Sequence, residues 1–387
     1  MAPPVPALLD IPWSTSTVSV SIIDTSLIAR NTSSSMLFGP SIPGLEGLDF
    51  GCWSFLIDHP DGRLVYDLGF PTEWETDFPP HTVDLIRDYF DTGMAYTAPQ
   101  YTSDILESGG VSLDTIDAII WSHTHVDHVG RPSLFPPSTD LIVGEGTLET
   151  FGLGYPDSPD SPYLAREFAN RTVREIPFPS NATRIGGLAA YDYFDDGSFY
   201  ILEAPGHEIG HVNALARISN DPPSFIYMGG DSFHHSSQLR PNRYTPLPKQ
   251  IYLEEPINSA PNPVPGELFA KLHPSRRLPA LPDYAVNLTS PYNTPLVAIN
   301  LYDDGGSHAR FPEIARDVIS KMQAFDADDR VLIVVAHDET LRGVVDLFPK
   351  KVDQSRIKEW KKRSRWQFVG DYDEALALLQ EEEGREV

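Results

Sequence analysis

Residues 122–130 read SHTHVDHVG and place three imidazoles and one carboxylate within six positions, from His123 to His128. Imidazole nitrogen and carboxylate oxygen are the ligands that zinc and similar divalent ions take in proteins. One ion cannot take all four groups from so short a loop, so the spacing predicts two neighbouring ions. The apolar run 116–121 comes directly before this motif and predicts a buried strand that ends at it.

Three later segments repeat this arrangement, in which an apolar run ends at one candidate ligand. The candidates are His207 after Phe199–Gly206, Asp231 after Phe225–Gly230, and His337 after Val331–Ala336. Side chains at the ends of neighbouring strands are held on rigid supports around one rim, as a preorganised site requires. The sequence therefore predicts that these three residues join the first motif in a single site.

The composition limits the range of functions. The chain has 387 residues, of which 41% are hydrophobic and 22% charged, as is ordinary for a globular protein with a large core. Its net charge of −26 repels phosphate backbones and anionic lipid surfaces. We therefore expect no nucleic-acid partner, no membrane docking and a small, uncharged substrate. The single cysteine, Cys52, excludes an intrachain disulfide and lies outside every metal motif.

The first ten residues, MAPPVPALLD, lack a basic start and a sustained apolar core, so they do not predict a signal peptide. No run of 18 apolar residues predicts a transmembrane helix. A reducing, cytoplasmic location is therefore the expectation. The sequence leaves the oligomeric state open.

Strand and helix patterns interleave along the chain, which predicts an α/β or α+β protein. Expected strands are 18–22, 199–204, 225–228 and 331–335, with a hairpin over 54–66; expected helices are 83–90, 314–325 and 374–379. We predict one catalytic domain over residues 1–387. It carries an N-terminal extension of about 1–16, proline-rich insertions at about 132–162 and 240–265, and an acidic C-terminal tail at about 374–387.

The two proline-rich insertions are expected to form walls of a substrate pocket, because long loops often do so. Their aromatic residues Phe135, Phe151, Tyr155 and Tyr244 are the candidates for an apolar lining.

The order of these motifs resembles the metallo-β-lactamase superfamily of hydrolases over roughly Phe55 to Val345. The matching segments are YDLG at 66–69, the His-rich motif, APGHEIGH at 204–211, GGD at 229–231 and AHD at 336–338. The resemblance implies a four-layer αββα sandwich, with two mixed β-sheets packed face to face and helices outside.

The same resemblance assigns the ligands residue by residue. His123, His125 and His207 would hold one ion, Asp127, His128 and His337 the second, and Asp231 would bridge both. A hydroxide that bridges the two ions would attack a carbonyl carbon, and Asp127 would pass a proton to the leaving oxygen. Asp67 and His211 are expected to orient ligands rather than to bind metal. His308 is a weaker candidate for the site. Zinc is the default ion, although the nitrogen and oxygen donors also admit iron, manganese or cobalt.

Within the superfamily, the motifs look closest to the N-acyl homoserine lactonases, the quorum-quenching branch. That branch has a tyrosine three residues after the bridging aspartate, where it helps to bind the lactone carbonyl, and this chain has His234 there, followed by His235. An imidazole can donate the same hydrogen bond, so His234 is a predicted catalytic residue. We therefore predict a hydrolase that opens the ester of a small lactone. A thioester hydrolase of the glyoxalase II or polyketide-releasing type, or a non-haem iron sulfur dioxygenase, stays open as an alternative.

Overall fold

A computed structural model describes residues 9–273, 292, 295, 297 and 309–385 of the chain. The strands of this part, in chain order, are β1 (Ser19–Asp24), β2 (Ile28–Ser33), β3 (Gly47–Phe50), β4 (Trp53–His59), β5 (Gly62–Tyr66), β6 (Ala95–Thr97), β7 (Ala118–Ile120), β8 (Asp140–Gly144), β9 (Val173–Ile176), β10 (Thr183–Ile185), β11 (Leu188–Asp192), β12 (Phe199–Glu203), β13 (Val212–Asn220), β14 (Pro223–Met228), β15 (Gln250–Ile251), β16 (Val264–Pro265) and β17 (Val331–Val334).

The α-helices of the same part are α1 (Ser34–Leu37), α2 (Trp74–Asp77), α3 (Pro80–Asp91), α4 (Thr102–Ser108), α5 (Val126–Val129), α6 (Thr147–Phe151), α7 (Gly266–Lys271), α8 (Pro312–Ala327), α9 (Ile357–Ser364) and α10 (Asp373–Arg385). None of these described helices combines the length and the apolar composition that crossing a bilayer requires.

Two six-stranded sheets form the centre of the protein. The first has the order β1-β4-β5-β7-β8-β9, and the second has the order β10-β11-β12-β13-β14-β17. Both are mixed. In the first, β5, β7, β8 and β9 run parallel while β1, β4 and β5 pair antiparallel. In the second, only β14 and β17 pair in parallel.

The alternation of side chains along β12 shows how the layers pack. Phe199 and Ile201 belong to the apolar cluster between the two sheets, whereas Tyr200 and Leu202 belong to the cluster beneath helix α8. Successive side chains of a strand point to opposite faces, so one strand serves both layers. The outer face of the first sheet is covered in the same way by helices that include α3, α4 and α10. The predicted four-layer αββα sandwich is confirmed.

One sequence interpretation needs correction. The proline-rich stretch 132–162 is not a long loop, because it contains β8, a strand inside the first sheet. The pairing partners of β8 are distant in sequence, so the local composition does not reveal this strand. The helix expected over 374–379 is present as part of α10, which buries Ala375 and Leu376 in the core and leaves its glutamates at the surface.

A buried ion pair joins the second sheet's helix layer to the loop that follows β14. The guanidinium of Arg240 donates two hydrogen bonds to the Asp326 carboxylate, with lengths of 2.8 and 3.0 Å, and both side chains are buried. Burial alone would raise the pKa of Asp326, but the charges of Arg240 and Arg365 outweigh it and lower this pKa. The pair therefore fixes the end of α8 against a segment that begins at the site described below.

We predict that Asp326→Asn lowers the free energy of unfolding by about 3–5 kcal/mol, because it leaves the Arg240 charge buried without its partner. Asp317→Asn is the matched control on the same helix. Its carboxylate pairs with Lys321 at the surface, so its loss should cost at most about 1 kcal/mol. Urea denaturation of both variants measures the difference, and equal losses would contradict the prediction.

Candidate metal centre

Seven side chains from the two sheets meet at one rim and form two groups of potential ligands. Within each group, one ligand atom per residue lies within 4.8 Å of every other. The groups are His123, His125, His207 and Asp231, and Asp127, His128 and His337. The structure thus brings together all seven residues that the sequence nominates.

The first group is a compact triangle of imidazoles. His125 Nδ1 lies 3.0 Å from His123 Nε2 and 2.9 Å from His207 Nε2, and the latter two nitrogens are 3.2 Å apart. Asp231 Oδ2 lies 3.6 and 3.8 Å from the nitrogens of His207 and His123. Three nitrogens and one oxygen therefore converge on one point.

The second group contacts the other side of Asp231. His128 Nε2 lies 3.2 Å from Asp231 Oδ1, and His337 Nε2 lies 3.3 Å from Asp231 Oδ2. Asp127 faces both imidazoles, at 3.8 Å from His128 and 3.4 Å from His337. The Asp231 carboxylate thus lies within 4 Å of two histidines of the first group, His123 and His207, and of both histidines of the second group.

Strand register explains why Asp231 and His337 meet. β14 and β17 are parallel neighbours, and Met228 pairs with Val334. Asp231 and His337 each come three residues after these partners, so the two side chains leave the sheet together. The turn before His207 needs Gly206, whose φ is +123° and whose added Cβ would stand 2.2 Å from the Ala315 nitrogen.

Hydrogen bonds at the outer ring nitrogens orient two of the potential ligands. His128 Nδ1 donates to Asp67 at 2.9 Å, and His337 Nδ1 donates to the Gly51 carbonyl at 2.8 Å. In each ring the lone pair of Nε2 is then left for the centre. Asp67 also accepts hydrogen bonds from the backbone and side chain of Ser122, at 2.6 and 2.7 Å. It therefore positions the start of the His-rich loop.

His211 supports the site without joining either group. Its Nδ1 donates to the Ala204 carbonyl at 3.0 Å, and its Nε2 accepts the backbone N–H of Asp231 at 3.1 Å. Burial lowers the pKa of His211 to about 3, so the ring is neutral, as this pair of bonds requires. The residue fixes the backbone of Asp231 rather than its carboxylate.

The buried carboxylates of the centre favour positive charge next to them. Burial lowers the pKa of His123 and of His207 well below the usual histidine value, which keeps their nitrogens unprotonated. Burial would likewise lower the pKa of His128, but the carboxylates of Asp231, Asp67 and Asp127 outweigh it and raise this pKa. Buried carboxylates thus outcompete desolvation to hold a proton, and a divalent cation would satisfy them more fully.

The spacing of the donor atoms tests whether metal ions fit. His128 Nε2 and Asp231 Oδ1 lie 3.2 Å apart, yet both are buried and neither makes a hydrogen bond among the described residues. A tetrahedral zinc ion with bonds of about 2.0–2.1 Å sets its ligands about 3.3–3.4 Å apart. The separations of 2.9–3.8 Å within the two groups, and between the second group and Asp231, bracket that value. The residues present therefore fit divalent ions.

His234 lies at the edge of this cluster, and His235 points elsewhere. His234 Nε2 is 3.3 Å from Asp231 Oδ2, and its ring lies parallel to that of His337 at 6.0 Å. His234 Nδ1 is buried without a hydrogen bond in the described structure. His235 is held by Ser237 and by Asp371, at 2.5 and 3.0 Å. His308 lies outside the described residues.

A cavity of about 310 Å³ opens onto the ligands, and its walls differ from those predicted. Of the four aromatic candidates only Phe151 lines it. Phe135 is buried in the core, Tyr155 packs against the ring of His81, and Tyr244 contacts Arg243. The walls come instead from α3 and the small sheet β3-β2-β6.

Several residues near the centre were missed by the sequence analysis. Glu208 lines the cavity, and its Oε2 lies 3.9 Å from His125 Nε2. It follows His207 directly, so the motif could have suggested it. Tyr163 donates a short hydrogen bond to the Thr124 carbonyl inside the metal loop. No local sequence signal marks Tyr163, since only the fold brings it to that loop.

Three kinds of comparison with known proteins agree with one another. The profile of the metallo-beta-lactamase superfamily matches residues 47–213. Gamma-lactamase FDB1 of Fusarium pseudograminearum (strain CS3096) is 38% identical over 370 residues, which cover 94% of this chain and 84% of that protein. Metallo-hydrolase mfmC of Annulohypoxylon moriforme is 36% identical over 384 residues, covering 99% and 95%. The crystal structure of a quorum-quenching N-acyl homoserine lactone lactonase shares the fold, with a TM-score of 0.53 and 15% identity over 88% of this chain and 100% of the other.

We predict two metal ions per chain in the wild type and a loss of most of this metal in Asp231→Ala, because that carboxylate adjoins both groups. His211→Ala keeps every ligand and should weaken metal affinity less, by about 10–100-fold. Elemental analysis after dialysis against a graded chelator measures both.

Asp196→Ala is the control, since Asp196 pairs with His59 beyond the opposite end of β12. Normal metal content in Asp231→Ala, or an equal loss in Asp196→Ala, would contradict the assignment.

Proposed function

The chain belongs to the metallo-beta-lactamase superfamily and is a metal-dependent hydrolase, and on this premise we propose that it opens the ester bond of a small, uncharged lactone. Two divalent ions, zinc first among the candidates, would serve this reaction. The observation that carries the proposal is the cavity of about 310 Å³ that ends at both ligand groups. Its volume lies at the lower end of the range for small-molecule sites.

The chemistry of the cavity wall favours an uncharged substrate. The wall is rich in phenylalanine, tyrosine, methionine and leucine side chains, and the described lining contains neither lysine nor arginine. Glu208 adds a carboxylate beside those of Asp127 and Asp231. Coenzyme A and glutathione thioesters carry negative charges, which such a wall repels, and the net charge of −26 adds to this effect.

We assign the proposed ligands to two ions according to the two groups. His123, His125 and His207 would hold one ion, Asp127, His128 and His337 the other, with Asp231 between them. Such a pair of ions, when bound, supplies a nucleophile from water near neutral pH and polarises the substrate carbonyl.

The chain's own side chains would complete the reaction. Asp127 faces the cavity and would pass a proton to the oxygen that leaves when the ring opens. His234 also faces the cavity, and its imidazole would donate one hydrogen bond to the substrate carbonyl. Both roles put a polar group where charge develops, at the mouth of an otherwise apolar pocket.

A cyclic amide is the second candidate substrate. The relative with 38% identity carries the name gamma-lactamase, and opening a lactam requires the same nucleophile and the same proton donor for its leaving nitrogen. Thioester hydrolysis and sulfur oxidation have less support. The first needs a pocket that tolerates anionic carriers, and the second needs only one ion, whereas two groups of ligands are present.

We predict that kcat/KM is at least about tenfold higher for uncharged lactones than for coenzyme A and glutathione thioesters. This ratio corresponds to about 1.4 kcal/mol in transition-state binding. Assays of the zinc-loaded protein on matched lactones, lactams, thioesters and a phosphodiester test this. If thioesters are turned over faster, the lactonase proposal is wrong while a dimetal hydrolase stands.

We further predict that His234→Ala lowers lactone kcat/KM by about 100-fold, in the range of one lost oxyanion donor, while metal content stays near that of the wild type. Parallel kinetics and elemental analysis separate the two effects. His59→Ala is the control, because that ring stacks on Phe194 at the far end of the sandwich. A silent His234→Ala, or one that loses metal in proportion to rate, would remove His234 from its proposed role.

A further inference from the structure

The cavity beside the metal centre has polar groups in its wall, and most of them are already engaged. His81 donates to the Ser161 carbonyl at 3.0 Å, and Thr82 donates to the Pro162 carbonyl at 3.0 Å. Tyr163 donates to the Thr124 carbonyl. These three donors hold the wall together and have no proton left for a ligand.

Tyr96 on β6 differs from them. Its hydroxyl oxygen accepts a long hydrogen bond of 3.4 Å from Thr32, and its own proton meets no acceptor among the described residues. Burial, and after it the charge of Asp127, raises the pKa of Tyr96, so the phenol keeps this proton at neutral pH. A half-buried donor in an apolar wall gains most when a ligand supplies the acceptor.

The ring of Tyr96 is fixed in place. Phe50, Phe70 and Phe90 surround it at centroid distances of 6.3, 5.9 and 6.0 Å. Aromatic contacts of this kind restrict the ring, so its hydroxyl is presented without much loss of side-chain entropy. The donor is therefore preorganised.

Phe50 also sets the distance of Tyr96 from the reacting centre. The Phe50 ring packs on His337 at 4.5 Å on one side and on Tyr96 at 6.3 Å on the other. The Phe50 ring thus separates Tyr96 from His337. No hydrogen bond of Tyr96 among the described residues involves a potential metal ligand. A ligand whose carbonyl reacts at the centre would meet Tyr96 with a different part of its body.

We propose that Tyr96 is a specificity-determining residue, and that the preferred substrate is a compact, uncharged ring compound that carries a second hydrogen-bond acceptor on its apolar body. This inference rests on the proposed function only in taking the cavity as the substrate site. The second acceptor would be a ketone, ether or ester oxygen, because Tyr96 offers it a neutral donor and the described lining contains neither lysine nor arginine.

Binding of two inert probes to the zinc-loaded protein tests the proposal without any turnover. Acetophenone and α-methylstyrene have the same shape, and only acetophenone has an acceptor oxygen. We expect Tyr96→Phe to weaken acetophenone binding about tenfold, equivalent to about 1.4 kcal/mol, and to change α-methylstyrene binding less than about twofold. Isothermal titration calorimetry or ligand-observed NMR measures both, and Tyr252→Phe, at an exposed tyrosine, is the control.

Equal weakening of both probes would show that Tyr96 only packs, and no change in either would show that it does not contact the ligand. Failure of both probes to bind the wild type would show that the cavity does not take neutral ring compounds. Each of these results overturns the inference. If Tyr96→Phe shows the selective loss while lactones are not hydrolysed, only the proposed lactonase function fails; if lactones are good substrates and the selective loss is absent, only this inference fails.

Discussion

The buried carboxylate of Asp231 is the constraint on which the site depends. Five histidine rings, those of His123, His128, His207, His234 and His337, approach it to within 3.2–3.8 Å, and its side chain is 3% exposed. Burying an unpaired carboxylate costs several kcal/mol of desolvation free energy, so the surrounding groups must provide positive charge. The imidazoles do so only by taking protons. The cluster therefore surrounds a negative charge that divalent cations would neutralise more fully than protons do.

The register of strand pairing in the two sheets determines which residues come to lie around Asp231. The parallel pairing of β14 with β17 brings Asp231 beside His337, and the parallel pairing of β5 with β7 brings Asp67 beside Ser122 at the start of the His-rich loop. His211 then fixes the Asp231 backbone from the opposite side. The strands thus set where each candidate ligand leaves its sheet, and hydrogen bonds such as those of Asp67 with Ser122 then fix the loop that carries the first four.

The sequence identifies the residues that meet at this rim because their signal is local. A histidine or aspartate that ends an apolar strand is a rare combination, and four such places point to one rim, as the structure has them. The cavity wall carries no comparable signal. β6 is only three residues long and mostly exposed, so nothing in Ala95–Thr97 marks Tyr96 as a neighbour of Phe50. The strand β8 lies in a proline-rich stretch, and the local sequence does not predict it because its pairing partners are distant along the chain.

Each ligand group takes residues from both sheets, and this has a consequence for how the protein matures. His123, His125, Asp127 and His128 follow β7 of the first sheet, whereas His207, Asp231 and His337 follow strands of the second. An ion bound by residues of both sheets would link the two sheets. Part of its binding free energy would then stabilise the packing of one sheet on the other. The cellular supply of the metal would then set how much of the chain reaches its closed form, and chains made during metal scarcity would be the ones exposed to proteolysis.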